Sequence, residues 1–397
     1  MKKSVLLSAA AILCCIISNA TVPHRMSFPD IPGYQTLLGD FHVHTTFSDG
    51  LSWPTTRIDE AYYDGLDVIA ITDHCDSRLR YMVKSGYFND EECDRNASFK
   101  LAKSAAKKYD IIVLHGCEVT RGKRLFAGHF NTHFISDGNT IATATEKDDA
   151  AIKNSREREE TGILNGLREA RRQGAFITYN HPNWAPQEPN EPKWLPIHEQ
   201  VFKEGLMNGI EIENHSVGYC PEAFHWAMER NLTIVSGTDC HVPMSQLVDY
   251  ETGEYRSMTL IFAKDRTEAG IREALDEHRT AVYNDGYIYG REDLLRQLFD
   301  KALEIKNTRV SDKSVKMSVK NVTSVPIYLS KAPGSEKLSY RRELKLSPGE
   351  ETEISIVPEH GGKSFGSASI DVNYFVKNYH IDADTPLKVS YHFEIAK

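Results

Sequence analysis

Between residues 35 and 285, apolar runs of strand length alternate with helical patterns, and histidines and carboxylates recur at the C-terminal ends of the runs. The runs are 37–44, 67–74, 111–118, 126–135, 175–181, 209–214 and 232–239, with helical patterns at 54–64, 96–109, 155–173, 195–205 and 221–230. Gly174 follows the third of these helices as a C-terminal stop. Strand, helix, strand at this spacing predicts parallel pairing through crossover helices. Seven strands suit a closed barrel better than a short open sheet, although periodicity alone leaves both open.

After residue 285 the pattern changes. Residues 290–305 read as one helix, and 308–397 as short alternating strands at 315–319, 327–329, 353–357, 367–376 and 387–393. Pro333-Gly334, Pro348-Gly349 and Gly361-Gly362 mark turns between them. A small β-sandwich is expected, with Tyr340, Tyr374, Phe375 and Tyr379 in its core. The role of this part stays open. Residues 136–160 read as a solvated loop leading into a helix.

The N-terminus has a basic start, Met1-Lys2-Lys3, then apolar residues 4–17 and the small-x-small site Ser18-Asn19-Ala20. The apolar run is too short to span a bilayer comfortably. It reads as a secretory signal peptide of residues 1–20, which gives an exported, periplasmic or secreted protein. Leu13 before Cys14 disfavours lipoprotein processing. The expected organisation is signal peptide 1–20, barrel 21–306 and β-sandwich 307–397. Five cysteines remain after cleavage: Cys75, Cys93, Cys117, Cys220 and Cys240. They read as packing residues, because strand neighbours of ligands point to the opposite face. By the same alternation, Phe41 and Val43 are expected on the helix side.

Lys plus Arg is 47 against 56 Asp plus Glu, a formal charge of −9. That balance argues against nucleic acid as a stable partner. No other stretch is long and apolar enough to span a membrane, and the sequence leaves the oligomeric state open.

His42 and His44 lie two apart at the first strand end, so both point the same way, and Asp49 follows in Ser48-Asp49-Gly50. His74 ends the second strand, Glu118 the third and His181 the fifth; His129 lies on the fourth, and Asp239 and His241 follow the seventh. In parallel barrels that end carries the active site. Clustered carboxylates and imidazoles there would repel and be costly to desolvate without cations. Nitrogen and oxygen donors without thiolates suit divalent zinc, manganese or iron.

The segments His42-Val-His44-Thr-Thr-Phe-Ser-Asp49-Gly, Thr-Asp73-His74, Gly116-Cys-Glu118, Gly128-His129-Phe-Asn, Asn-His181-Pro and Gly-Thr-Asp239-Cys-His241 resemble the PHP (polymerase and histidinol phosphatase) family, in family order across residues 39–241. The resemblance implies a distorted seven-stranded (β/α)7 barrel that hydrolyses phosphoesters with up to three metal ions. Carried over, His42, His44, Glu118 and Asp239 hold one ion. Glu118 bridges to a second, completed by His129 and His181, with His133 as the rival to His129. Asp49, His74 and His241 hold a third. Some members carry a histidine near the position of Asp49, where the aspartate keeps a ligand.

The expected reaction is attack of a metal-activated hydroxide on phosphorus of a small phosphorylated substrate. Glu118 and Asp239 are assigned to the catalytic centre, with His215 as a leaving-group acid and Arg78 and Arg121 as substrate ligands. Glu211 and Glu213 share a strand face as supports for ligand histidines or as structural ion pairs. A phosphomonoesterase is the leading reading. The alternatives are a phosphodiesterase on cyclic or short nucleotides and a non-catalytic binding protein with an inert barrel. Trp184 and Trp194 lie in a proline-rich stretch that would wall the site or simply pack.

Overall fold

The computed structural model describes residues 24–76, 94–121, 127–184, 191–359 and 362–395. The expected signal peptide, Cys93 and Arg78 lie outside these residues. The seven runs all form strands: β1 (Gln35–Asp40), β2 (Val68–Ile71), β3 (Ile112–Val119), β4 (His129–His133), β5 (Phe176–Asn180), β6 (Gly209–Asn214) and, after the short β7 (Gly218–Tyr219), β8 (Thr233–Gly237). Between them lie α1 (Pro54–Tyr63), α2 (Ala97–Ala106), α3 (Gly138–Glu146), α4 (Ser155–Arg172), α5 (Pro196–Lys203) and α6 (Pro221–Arg230).

The sheet is mixed, which corrects the expectation of an all-parallel closed barrel. β1–β2–β3 and β5–β6–β8 are parallel, but β4 is antiparallel to both β3 and β5. Only nine residues separate β3 from β4, too few for a parallel crossover. Three further strands, β9 (Met258–Ala263), β10 (Thr280–Asn284) and β11 (Tyr287–Gly290), extend the sheet antiparallel from β1, with α7 (Glu268–Asp276) between β9 and β10. Among the described residues no ladder joins β8 to β1 or β9, so a seven-strand count does not describe the sheet. Side chains cross that gap: the Ser236 N–H donates to Thr259 Oγ1 at 2.8 Å, and Thr280 Oγ1 donates to the Ile234 carbonyl at 2.7 Å.

One face of β2 packs Ile69 and Ile71 with Ile58 of α1 and Ala102 of α2. The other packs Val68 and Ala70 with Phe41, Leu114, Phe176 and Val235. Phe41 therefore lies away from these helices, not on them. Alternation holds from Leu37 to Phe41, which share a face, and slips before Val43, which lies on the helix side. Residues 138–146 are helical rather than loop, because the Asp137 side chain accepts from the Asn139 N–H and caps them.

The helix expected at 290–305 is α8 (Glu292–Ala302), and the chain continues directly into β12 (Leu303–Val310). The expected boundary at 306/307 thus falls inside a strand. β12 joins β13 (Val315–Asn321), β17 (Glu351–Pro358) and β15 (Leu338–Ser339) in one sheet. β14 (Ile327–Lys331), β16 (Glu343–Leu346), β18 (Ser369–Asp382) and β19 (Thr385–Glu394) form a second layer. Val315, Met317, Ile354 and Ile356 of the first layer share a core with Ile327, Leu344, Val372, Tyr374 and Val376 of the second. β18 also pairs in parallel with β11, Ile288 opposite Tyr379, so the second layer continues the main sheet. Leu294, Leu295, Leu298 and Phe299 of α8 belong to the same apolar cluster. A groove of about 670 Å³ lies at this seam, lined by Tyr255, Tyr283, Tyr287 and Tyr328 and remote from the expected ligands.

Candidate metal centre

The expected ligands converge at the C-terminal ends of β1, β2, β3, β5 and β8. Donor atoms of His42, His44 and Glu118 fall within 4.8 Å of one another, as do those of His42, His181 and Asp239. The same holds for Glu118, His129 and His181, and for His44, Asp49, His74 and His241. The first expected set is divided, with Asp239 grouped with His42 and His181 rather than with His44 and Glu118, and His44 also joins the Asp49 group. Glu118 touches five imidazoles, one of them His44, whose Nε2 lies 3.3 Å from Oε2. Its Oε1 lies 2.9 Å from His129 Nδ1, 3.4 Å from His181 Nε2 and 3.5 Å from His42 Nε2, and its Oε2 lies 2.8 Å from His74 Nδ1. His129 rather than His133 is the neighbour of Glu118. His133 faces Phe41 edge-on, and burial pushes its imidazole down to about 3.

The local backbone is bent to bring these groups together. His181 and Asp239 both hold positive φ, 29° and 51°. Such strain costs of order 1 kcal/mol or more for a non-glycine residue and clusters at functional sites. The Asp239 N–H donates to the His42 carbonyl at 2.8 Å, and the His181 N–H to Glu211 Oε2 at 2.8 Å. Gly237 leaves no room for a side chain: a Cβ there would stand 2.2 Å from His42 Cβ. Gly237→Ala is therefore expected to displace His42 and weaken metal binding at least on the order of tenfold. Titration of the metal-free variant against wild type checks this.

Three supporting carboxylates hold the ligand loops. Glu211 Oε1 lies 2.8 Å from His42 Nδ1 and is buried, so Nε2 of that ring is left to face Glu118 and Asp239. Asp40 Oδ1 accepts from the His42 and Thr238 N–H groups. Asp73 accepts from the Thr45 N–H and hydroxyl and from Ser48 Oγ. Glu211 was legible from its strand parity. Asp40 and Asp73 were not assigned roles, because a carboxylate that accepts backbone N–H groups across a chain bend leaves no spacing signal.

The electrostatics are those of a site built for cations. Burial raises the Glu118 carboxyl, but His74, His129 and His42 outweigh that and hold it well below the usual range. Asp239 is likewise depressed, burial being overcome by His42, His44 and His181. Burial lowers His42, yet Asp239, Glu211 and Glu118 hold it well above an ordinary imidazole. His74 is raised to about 10 in the same way by Glu118 and Asp49, whereas burial dominates at His129 and takes it down to about 3. Neutral imidazole and ionised carboxylate are the forms that bind metal. Among the described residues, His129 Nε2 is buried with no hydrogen-bond partner. An all-nitrogen and oxygen donor set with such an atom fits divalent metal ions.

Three expected roles are corrected or fall elsewhere. His215 turns from the centre: its Nδ1 lies 3.2 Å from Ser257 Oγ and its Nε2 3.3 Å from the Leu247 carbonyl. Ser216 and Val217 line the cavity instead. Arg121 is ion-paired with Asp149 and packs on Gly162 of α4, which occupies its guanidinium away from the ligands. Arg78 is outside the described residues. Trp184 does border the site, its ring centroid 5.2 Å from His129 and 5.1 Å from His181, whereas Trp194 packs on Trp226 and His198. Cys75, Cys117, Cys220 and Cys240 are buried free thiols.

A cluster of imidazoles and carboxylates at the strand ends of an α/β sheet is the donor set of a metal-dependent domain. Residues 40–169 match the PHP domain model, and residues 301–392 match an Ig-like domain model. A two-domain protein from Bacteroides vulgatus ATCC 8482, described as containing a predicted PHP-like metal-dependent phosphoesterase, is 39% identical with a TM-score of 0.81. The match covers 93% of this chain and 98% of that one. The chain belongs to the PHP family. An amidohydrolase from Chromobacterium violaceum is 16% identical over 58% of this chain and 99% of its own, with a TM-score of 0.34, too distant to carry an argument. No curated protein matches.

Proposed function

We propose that the protein is an exported metal-dependent phosphomonoesterase acting on a small phosphorylated substrate. The observation that carries this reading is the convergence of the four donor sets beneath one cavity of about 160 Å³. His74, Glu118, His129, His181, Asp239 and His241 line it. That size suits a terminal phosphoryl group better than a nucleic-acid backbone.

His42, His44, Glu118 and Asp239 would hold one ion, Glu118, His129 and His181 a second, and Asp49, His74 and His241, with His44 in reach, a third. Bound divalent ions supply an acidified water and neutralise phosphate oxygens. The chain's own groups do the rest. Glu118 serves two sets from a buried position. Glu211 accepts the Nδ1–H of His42 and so holds its tautomer. Trp184, 39% exposed, and Val217 narrow the mouth and limit water there. An inert barrel is disfavoured because no expected ligand is missing. Export rests on the N-terminal pattern; among the described residues no helix is long and apolar enough to cross a membrane.

The test is a panel of phosphomonoesters and phosphodiesters with protein lacking residues 1–20, loaded with manganese, iron or zinc, alongside elemental analysis. Two to three metals per chain and turnover of a small monoester are expected. Metal bound at 100 times its Kd should raise stability by about 2.7 kcal/mol. Full metal loading without any turnover, or turnover of diesters alone, would contradict the proposal.

A further inference from the structure

Arg57 lies in α1, in a stretch the ligand pattern does not touch, yet its side chain is fully buried. A buried guanidinium is costly unless its donors are satisfied. Here they are spent on backbone that carries ligands. Nε donates to the His44 carbonyl at 2.8 Å. Nη2 donates to the Cys240 carbonyl at 2.8 Å, and Nη1 to the Val242 carbonyl at 3.0 Å. Cys240 and Val242 flank His241. Nη1 also donates to Glu60 Oε2 at 2.8 Å, and the other oxygen of Glu60 accepts from the Met244 N–H at 3.0 Å. One planar fork thus ties the end of the first strand segment to the loop after β8.

We infer that Arg57 is a positioning residue for the metal set His44, Asp49, His74 and His241. It braces the spacing between His44 and His241, whose stacked rings lie 4.3 Å apart, alongside the single Val43–Cys240 bridge and the Leu51 N–H bond to the His241 carbonyl. This rests on the reading of that set as a metal site. Lysine cannot replace it: one ammonium centre does not present N–H groups in three diverging in-plane directions. The alternative is that Arg57 merely staples the core, in which case its loss lowers stability and leaves metal binding alone.

The test compares metal affinity and melting temperature, with no activity assay, in wild type, Arg57→Lys, Asp49→Asn and the double variant. Arg266→Lys is the control, since Arg266 bridges Asp67 and Asp110 at the opposite ends of β2 and β3. Manganese is the probe, titrated into metal-free protein that is folded by circular dichroism. Arg57→Lys is expected to weaken one class of site about 10–100-fold. The class should be the one lost in Asp49→Asn, so the double variant should lose little more. Arg266→Lys should keep every class whatever its melting temperature. Full manganese affinity in a folded Arg57→Lys, or equal loss in Arg266→Lys, overturns the inference. Wild type with no site sensitive to Asp49→Asn overturns the underlying metal reading instead. If Arg57→Lys does not fold, Glu60→Gln loosens the same fork more gently, keeping an oxygen to accept from Nη1 but removing the countercharge. It should weaken that class several-fold, and unchanged affinity there would also overturn the inference.

Discussion

Replacing Glu118 by glutamine is expected to lower bound metal and cut turnover by at least on the order of a hundredfold. The side chain keeps its size but loses the charge that faces His42, His74, His129 and His181. Two donor sets share this one carboxylate, so both should fail together. Glu213→Gln is the comparison, because the two residues are similarly buried and electrically opposite. Burial, with Glu211 and Asp285 nearby, pushes the Glu213 carboxyl up to about 8. At neutral pH it is largely protonated, and glutamine replaces a neutral group with a neutral group. Metal content should hold. A carboxyl raised in the folded state stabilises below its unfolded value near 4.5 and loses that contribution as pH rises through about 8. Glu213→Gln should therefore gain on wild type between pH 5 and 8. Near-normal turnover in Glu118→Gln under saturating manganese, or greater metal loss in Glu213→Gln, would place the bridge elsewhere.

Ending the chain at residue 306 is expected to leave protein that does not fold to a soluble monomer. Residues 308–397 have the pattern of a separate β-domain, yet the seam ties them to the main sheet. Removal strips β18 from β11, bares the buried face of α8 and unpairs Phe299 from Tyr379. It also breaks the paired contacts of Ser27 with Ser324. Each large apolar side chain returned to water costs about 1.5–3 kcal/mol, and a handful exceeds a typical stability of about 5–15 kcal/mol. Solubility, circular dichroism and metal content of the truncated chain decide the matter. A soluble, metal-loaded truncation would show that the seam is dispensable.

What the sequence made legible follows from which signals are local. His42 with His44 and Asp239 with His241 were readable because two-residue spacing at a strand end aims both groups alike. The helix at Ser155–Arg172 was readable from its apolar period and the glycine beyond it. The antiparallel setting of β4 was concealed, since strand periodicity carries no direction; only the short connection before it gave a hint. β9 to β11 carry no ligands, so no chemical signal marks them in the sequence. His215 was misread because position after a strand does not say which way a loop turns. Arg57 gave no signal at all, since its partners are carbonyl oxygens and every residue has one.

The pairing of β1 has a consequence for how the ligands come together. β1 lies between β2 and β9, with Gly39 opposite Thr259. During synthesis, the first ligand-bearing segment therefore emerges long before its second neighbour exists. Closing so large a loop is a late and entropically expensive event. Until it closes, His42 and His44 have a strand on one side only, and Asp239 and His241 are made only shortly before β9 itself. The nascent chain thus passes through an interval in which its chelating set lacks Asp239 and His241, and completion of the set belongs to the end of folding rather than to its beginning.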